Sequence, residues 1–457
     1  MKTAKLEDGT AVKFDEDNPL GQGAFGTVYP SADPAFVVKL YDRPAEGHDE
    51  ILRLLIKAHN ATRDLAQPER TDYWDSLFSW PKQIVLAPRL GVWLPRLPAG
   101  LVKLRTLLVP NSYKTLVPEQ RRWNARVHAA WRLAQGVQRL HSLGLAHSDL
   151  SPNNIYANPE TGHICIIDCD DLVVPGFNPS ASAGTPRYIA PEVLEGRGVP
   201  NHRTDRHALS VLIHELLLFR HPLIGPFDHG LDDNDEIEQQ QLGSAGIYIG
   251  DPKDWRNRPR KGFYRPELLG PTLAKLLAQA FGPGLRDPEA RPTALQWQSA
   301  LGRLVDRIVS CVNPTCDERY FPLEDGKRLA CPWCKTPFPS SQSFPVFRLW
   351  DPAPKKPCLV EDFWIAGLEG RKLHGWHRQP KGSPGSFSDR VPIARVDYLD
   401  GRWTLVSLDA VGITTMDSRG NEVARLVTGQ KTELTGGAVI RLGRPDVSRF
   451  ISVHWLQ

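Results

Sequence analysis

No apolar run in this sequence is long enough to cross a bilayer. The most apolar stretch, residues 208–219, is interrupted by His214 and Glu215, whereas a spanning helix needs about 20 apolar residues. A buried globular helix is the expectation there. The opening residues, Met1-Lys2-Thr3-Ala4-Lys5-Leu6-Glu7-Asp8, hold no apolar segment of the secretory kind, so a cytoplasmic protein with no membrane contact is expected. Charge of one sign is also lacking. Lys and Arg number 56 against 52 Asp and Glu, a formal net charge of +4. That excess is too small for wholesale nucleic-acid binding, and no nucleic-acid partner is expected. No internal repeat stands out. Cysteine is scarce and odd in number at seven. Without a leader, the four that sit close together point to metal rather than to a disulfide framework.

What remains is an ordinary globular composition, 41% hydrophobic and 24% charged over 457 residues. At about 100–200 residues per domain, this predicts two to four domains. Short strands with tight turns are predicted at residues 12–14, 27–29 and 36–40. A helix is predicted over 46–65, with Ile51, Leu54 and Leu55 as its apolar positions. Residues 84–97 alternate like strands. Residues 124–143 read as a helix with Leu133, Val137 and Leu140 on one face and Gly144 as its terminator. Another helix is expected over 205–219, and residues 224–262 read as a loop-rich insertion. A small β-rich lobe thus precedes a larger helical one. The Pro/Ser-rich stretch 337–357 reads as a linker. Beyond it, strand-like runs at 393–398, 403–408, 423–427, 438–442 and 450–455 are separated by Asp400-Gly401, Arg419-Gly420 and Gly436-Gly437. That pattern predicts a small all-β sandwich.

Four local patterns carry chemistry. Gly21-Gln22-Gly23-Ala24-Phe25-Gly26 lies between strands, and glycines let backbone N–H groups approach phosphates closely. A strand follows these glycines, where a dinucleotide-binding fold needs a helix. Lys39 lies in the apolar strand Val37-Val38-Lys39-Leu40. An ammonium there needs an anionic partner: ATP phosphates, together with Glu50 or Glu46 from the following helix. His147-Ser148-Asp149-Leu150-Ser151-Pro152-Asn153-Asn154 follows the Gly144-capped helix, and Ile164-Cys165-Ile166-Ile167-Asp168 reads as a strand ending in a carboxylate. Phosphoryl transfer needs hard oxygen ligands for magnesium, here Asn154 and Asp168. It also needs a carboxylate to orient the attacking hydroxyl, here Asp149. Ala183-Gly184-Thr185-Pro186-Arg187-Tyr188-Ile189-Ala190-Pro191-Glu192, then Asp205 and Arg291, complete the series.

In this order the patterns resemble a eukaryotic-type protein kinase domain over residues about 10–305. The resemblance implies a bilobal fold and an ATP- and magnesium- (or manganese-) dependent transfer of the γ-phosphate to Ser/Thr hydroxyls of a protein substrate. It implies that Leu20, Gly21, Gly23, Gly26 and Val28 cover ATP, and that Lys39 contacts its α/β-phosphates and pairs with Glu50. Leu94 would lie at the back of the adenine pocket, with Arg96 in the hinge. Asp149 would be the catalytic base, Asn154 and Asp168 the metal ligands, and Ser151 and Thr185 substrate-site residues. Glu192 would brace the larger lobe through Arg291, and Asp205 would anchor the catalytic loop. Three departures stand out. Ser148 replaces the family's arginine, Ser151 its lysine, and Asp168-Cys169-Asp170 its Asp-Phe-Gly triplet. Two readings compete with an active protein kinase. One is a nucleotide-binding scaffold that does not turn over. The other is a small-molecule kinase, although such relatives generally lack the segment that contains Thr185 and Glu192.

Cys311, Cys316, Cys331 and Cys334 form a CxxxxC…CxxC pattern around an expected turn at Asp325-Gly326. This suits tetrahedral zinc closed by four thiolates, with iron or a redox thiol pair as alternatives. The cluster resembles a zinc ribbon. Residues 360–457 resemble a degenerate forkhead-associated sandwich on residues 401–408, Gly412 and residues 434–443, while His374 and His377 fit no phosphothreonine pattern. The expected architecture is multidomain α+β. A kinase domain at 1–305 (small lobe 1–97, large lobe 98–305) precedes a zinc ribbon at 306–340, a linker at 341–359 and a β-sandwich at 360–457. The combination resembles bacterial kinases of tellurium-resistance-type systems. That resemblance implies partners of the von Willebrand A and metal-dependent phosphatase types.

Overall fold

A computed structural model describes residues 1–23, 25–62, 68–109, 114–177, 184–226, 241–324, 330–339, 343–353, 357–380, 390–445 and 447–456. Ala24, Ala183, much of the expected insertion and the Asp325-Gly326 turn lie outside the described residues. Two compact units are present. The first comprises Met1–Thr115, Arg132–Lys261 and Gln279–Ala294; the second comprises Leu116–Trp131, Gly262–Ala278 and Leu295–Gln457. Among the described residues no helix is long and apolar enough to cross a membrane.

The first unit opens with a seven-stranded sheet in the order β2-β1-β6-β7-β5-β4-β3. Its strands are β1 (Lys2–Leu6), β2 (Ala11–Phe14), β3 (Gly21–Gln22), β4 (Gly26–Pro30), β5 (Phe36–Tyr41), β6 (Gln83–Ala87) and β7 (Gly91–Pro95). The period of two sorts β5 onto two faces. Val38 and Leu40 join Ala4, Leu6, Phe14, Tyr29 and Val85 in one core. Val37 and Tyr41 join Leu52, Ile84, Val92 and Leu94 in another. Lys39, between Val37 and Tyr41, takes their face, the one packed against helix α1 (His48–Ala61).

Helix α2 is Pro68–Ser76, and α3 is Trp123–Ser142, stopped at Gly144 with φ 74°. A three-stranded sheet, β8 (Val102–Lys103), β9 (Ile155–Ala157) and β10 (Ile164–Ile166), flanks the loops that follow α3. Helix α4 (His202–Leu218) starts with a capping box. The Asn201 side chain accepts from Arg203 N–H, and the Asn201 N–H donates to Thr204 Oγ1. It ends at Phe219 in the left-handed region, and residues all around its circumference are buried, as expected of a helix running through a core.

The second unit contains most of α5 (Pro271–Phe281) and α6 (Ala294–Asp306), then the two-stranded ribbon β11 (Ile308–Ser310) and β12 (Tyr320–Pro322). Ten further strands make two sheets. The larger holds β13 (Pro345–Asp351), β14 (Cys358–Ala366), β18 (Ile413–Met416), β19 (Glu422–Leu426), β21 (Val439–Arg441) and β22 (Phe450–Trp455), in the order β14-β13-β22-β21-β18-β19. The smaller holds β15 (Lys372–His374), β16 (Pro392–Leu399), β17 (Arg402–Ser407) and β20 (Lys431–Glu433). Phe347, Ile365, Ile440 and Val453 of the first sheet share one core with Leu373, Ile393, Val396 and Leu405 of the second.

The expected linker is corrected here. Strand β13 lies inside the stretch read as linker, and it pairs with β14 on one side and β22 on the other. Proline and serine counts concealed it. Pro345 is the first residue of β13, a place where proline is tolerated in a sheet. His377 is fully buried and bonds Asp306 at the end of α6, 2.9 Å away.

Candidate functional site

Strand β5 brings Lys39 to the segment that follows β10. Its Nζ lies 3.1 Å from Asp168 Oδ1 and 2.8 Å from Asp170 Oδ2. The Tyr41 hydroxyl donates to the same Asp170 oxygen at 2.6 Å. Burial opposes the Lys39 charge, but the Asp170 and Asp168 carboxylates outweigh it and hold the ammonium's pKa above its ordinary value. Burial also opposes the Asp170 charge, yet Lys39 and the Tyr41 hydroxyl keep that carboxyl below the usual range. Tyr41 is pushed well above its ordinary value by burial and by Asp170.

The loop after α3 is held from beneath. Asp205, 2% exposed on α4, accepts the His147 backbone N–H at 2.9 Å and faces His141 Nε2 at 3.0 Å. His147 Nε2 lies 2.8 Å from the Ile167 carbonyl, tying this loop to the one carrying Asp168. Ser148 and Asp168 both adopt left-handed backbone, at φ 47° and 57°. Such conformations are costly for residues with a Cβ and concentrate at functional sites. Asn154 Nδ2 donates to both the carbonyl and Oδ2 of Asp149, each at 3.0 Å. Its carbonyl oxygen is thereby left to face other groups. Thr185 N–H donates to Asp149 Oδ1 at 2.7 Å, and Thr185 Oγ1 donates to Ser151 Oγ at 3.0 Å. Asp149, Asn154, Thr185 and Ser151 therefore form one hydrogen-bonded group. Asp168 is connected to it through the His147–Ile167 bond.

The glycine-rich segment is β3, a turn and β4, with Gly23 N–H donating to Gly26 O at 2.9 Å. A Cβ on Gly21 would meet nothing within 4 Å, and one on Gly23 would meet only Gly26 O at 3.9 Å. Gly26 differs, because its Cβ would stand 2.3 Å from Leu40 O. That glycine is required by strand packing, and the open space lies at Gly21 and Gly23. Val28 is in register with Lys39, and Leu94 with Val37. Leu20 is half exposed, and Arg96 is exposed with its N–H bonded to Ala35 O.

Glu50 departs from expectation. It is exposed, and the carboxylates that pair with Lys39 among the described residues are Asp168 and Asp170. The reason is helical phase. Leu52, Leu55 and His59 are the buried residues of α1, while Leu54 is 37% exposed. At 100° per residue, Glu50 points about 200° away from Leu52. Glu46 is exposed as well. Sequence reasoning missed Asp170 and Tyr41. The available signals were an aspartate in place of the triplet's glycine, and a tyrosine two residues after Lys39 on the same strand face.

Glu192 and Arg291 form a bidentate pair at 2.7 and 2.6 Å, with the arginine side chain fully buried.

The four cysteine sulfurs lie within 4.8 Å of one another, and none is in a disulfide. Cys311 and Cys334 are 3.6 Å apart, Cys316 and Cys331 3.8 Å. A tetrahedron with Zn–S bonds of about 2.3 Å has edges of roughly 3.8 Å, so these residues fit zinc. The β11–β12 ribbon places the first two cysteines, and Trp333 Nε1 donates to Tyr320 O to fix the second pair beside it.

Comparison with known proteins agrees with this geometry. Residues 104–300 match the family model of the protein kinase domain. Over this segment, somewhat less than half of its length, the chain is similar to protein kinase domains. Its relatives include atypical protein kinase C of Drosophila melanogaster, 37% identical over 109 residues, covering 23% of this chain and 17% of that protein. Ribosomal protein S6 kinase alpha-1 of Homo sapiens is 30% identical over 215 residues, 45% of this chain and 27% of that protein. The membrane-associated tyrosine- and threonine-specific cdc2-inhibitory kinase wee-1.3 of Caenorhabditis elegans is 28% identical over 210 residues, 44% and 28% respectively. The chain thus spans less than a third of the length of these relatives. The matched segment begins after Lys39 and the glycine-rich segment, and it includes Asp149, Asn154, Asp168, Thr185, Glu192, Asp205 and Arg291.

Proposed function

We propose that this chain is an ATP- and Mg²⁺-dependent protein kinase that transfers the γ-phosphate to Ser or Thr hydroxyls of a partner protein. The observation that carries the reading is that Lys39 meets Asp168 at 3.1 Å while Asp149, Asn154 and Thr185 share hydrogen bonds beside them. The donor set suits a hard cation. Asp168 offers carboxylate oxygen, and Asn154 commits its NH₂ to Asp149 and keeps its carbonyl oxygen available. Magnesium, when bound by these two, supplies positive charge to the phosphates. Lys39 holds phosphate oxygens. Asp149 accepts the hydroxyl proton and orients the hydroxyl for in-line attack. Thr185 fixes Asp149 through its backbone N–H, and its side chain lines the place where the acceptor residue lies. Ser151 replaces a cation at the γ-phosphate, which predicts a slower enzyme.

In the same reading residues 306–340 are a zinc ribbon, and the two sheets from β13 onward form a β-sandwich of forkhead-associated type that docks partners. The resemblance set out above supports bacterial signalling with von Willebrand A and phosphatase partners, and a cytoplasmic location.

Incorporation of label from γ-labelled ATP into protein acceptors tests the kinase reading. Asp149→Asn is expected to lower the rate by about 10²–10⁴-fold, and Lys39→Ala to abolish it. Wild-type protein that binds ATP and labels no acceptor would instead establish the non-catalytic scaffold.

A further inference from the structure

In a kinase of the kind proposed above, the phosphate-binding lysine needs a fixed carboxylate to hold its ammonium in place. Helix α1 was expected to supply it and does not, because Glu50 lies on the solvent side. The first turn of α1 instead presents His48, whose ring meets Tyr41 edge-on at 4.7 Å. Asp170 stands where the helix carboxylate was expected. It is 1% exposed, 2.8 Å from Lys39 Nζ and 2.6 Å from the Tyr41 hydroxyl. Its second oxygen, Oδ1, is buried with no hydrogen-bond partner among the described residues. Such a group is expensive to bury, and a glycine at this position would avoid the cost. The backbone around it is fastened. Asp171 N–H donates to Asp168 O, and Val173 N–H to Ala146 O.

Resting on the reading of this site as a nucleotide-phosphate site, we infer that Asp170, clamped by Tyr41, is the positioning residue for Lys39, in place of Glu50. The lysine is then anchored to the loop that carries Asp168, and its orientation does not depend on where α1 sits.

The test measures ADP, MgATP and adenosine affinities of the full chain by calorimetry. Adenosine lacks the phosphates that Lys39 contacts, so it separates positioning from general damage to the pocket. Asp170→Asn is expected to weaken ADP and MgATP by roughly tenfold or more, the size of one charge-assisted hydrogen bond, and to leave adenosine unchanged. Tyr41→Phe weakens the phosphate-bearing ligands by a smaller factor, and Glu50→Gln changes none of the three by as much as twofold. In turnover, Asp170→Asn raises KM for ATP and lowers kcat, and Asp170→Glu restores part of both. The inference is overturned if Glu50→Gln costs as much as Asp170→Asn, or if adenosine affinity falls in parallel with ADP. Wild-type protein that binds no nucleotide overturns the proposed function itself, and the inference with it.

Discussion

Arg291 makes four hydrogen bonds from a side chain with no exposed surface: two to Glu192, one to Gly284 O at 2.7 Å and one to Arg203 O at 3.0 Å. Arg291→Met keeps most of the volume and removes the charge. It leaves Glu192, whose side chain is 11% exposed, as an uncompensated carboxylate, and it strips two carbonyls of their donor. Breaking one side of a buried pair costs about 3–5 kcal/mol. At about 2–4 °C per kcal/mol for a body of this size, Tm is expected to fall by roughly 6–20 °C. Glu289→Gln is the comparison, because Glu289 pairs with Arg203 at the surface, with side chains 60% and 41% exposed. An exposed pair is worth about 0–1 kcal/mol, so that variant should shift Tm by no more than about 4 °C. Replacing both partners, Glu192→Leu with Arg291→Met, removes the stranded charge and should recover a large part of the loss. Thermal unfolding followed by circular dichroism, with urea titration as a check, reads all three. A loss below about 1 kcal/mol for Arg291→Met, or a double variant no more stable than the single one, would refute the reasoning.

Four further outcomes follow from other parts of the molecule. Cys331→Ser with Cys334→Ser should lose one equivalent of bound zinc by elemental analysis and lower the unfolding temperature of the second unit, and a chelator should do the same to wild type. Gly26→Ala should push β4 away from β5, because its Cβ falls 2.3 Å from Leu40 O; reduced stability with weakened ATP binding is the expected readout, and unaltered unfolding would contradict it. Burial raises the Glu215 carboxyl to about 7, against the Tyr188 hydroxyl bond at 2.7 Å that favours its charge. A carboxyl whose folded pKa lies above the ordinary 4.5 contributes stability that is complete below that value and is lost as pH rises through about 7. Glu215→Gln should therefore gain on wild type in urea unfolding between about pH 5 and about pH 8. His221 acts in the opposite direction. Burial lowers it to about 3, and its Nδ1 must stay unprotonated to accept the Leu223 N–H at 3.2 Å. The stability it contributes is present above its ordinary 6.5 and is lost as pH falls toward about 3.

The elements that were legible in the sequence are those with a clear apolar pattern. Residues 36–40 are a short apolar run broken only by Lys39, residues 393–398 largely alternate, and β5 and β16 stand there. Residues 205–219 are apolar at helical spacing, and α4 covers them. Strand β1 escaped notice because its inward residues, Ala4 and Leu6, are few and its outward ones include two lysines. Strand β13 escaped because it lies within a Pro/Ser-rich stretch; its two faces pack in different cores, so Val346 and Phe347 are buried in succession and no alternation marks them. The motifs between residues 104 and 300 were enough to read the similarity to protein kinases, because phosphate and hard-cation chemistry restricts which residues can stand at each point.

The partner of Lys39 was legible only in part, and helical phase explains why. Taking Ile51, Leu54 and Leu55 as the inward face of α1 puts Glu50 about 90° from the centre of that face, at its edge and within reach of the sheet side. Taking Leu52, Leu55 and His59, the residues actually buried, turns it to solvent. Both phases fit the same apolar count, and only packing against Val37, Ile84 and Val92 decides between them. A buried lysine needs anionic partners, and with Glu50 outside, Asp168 and Asp170 are the carboxylates that meet Lys39. Asp170 meets that requirement at the position where the family pattern has a residue with no side chain. On the inference drawn above, the aspartate at the third position of the triplet and the outward glutamate belong together.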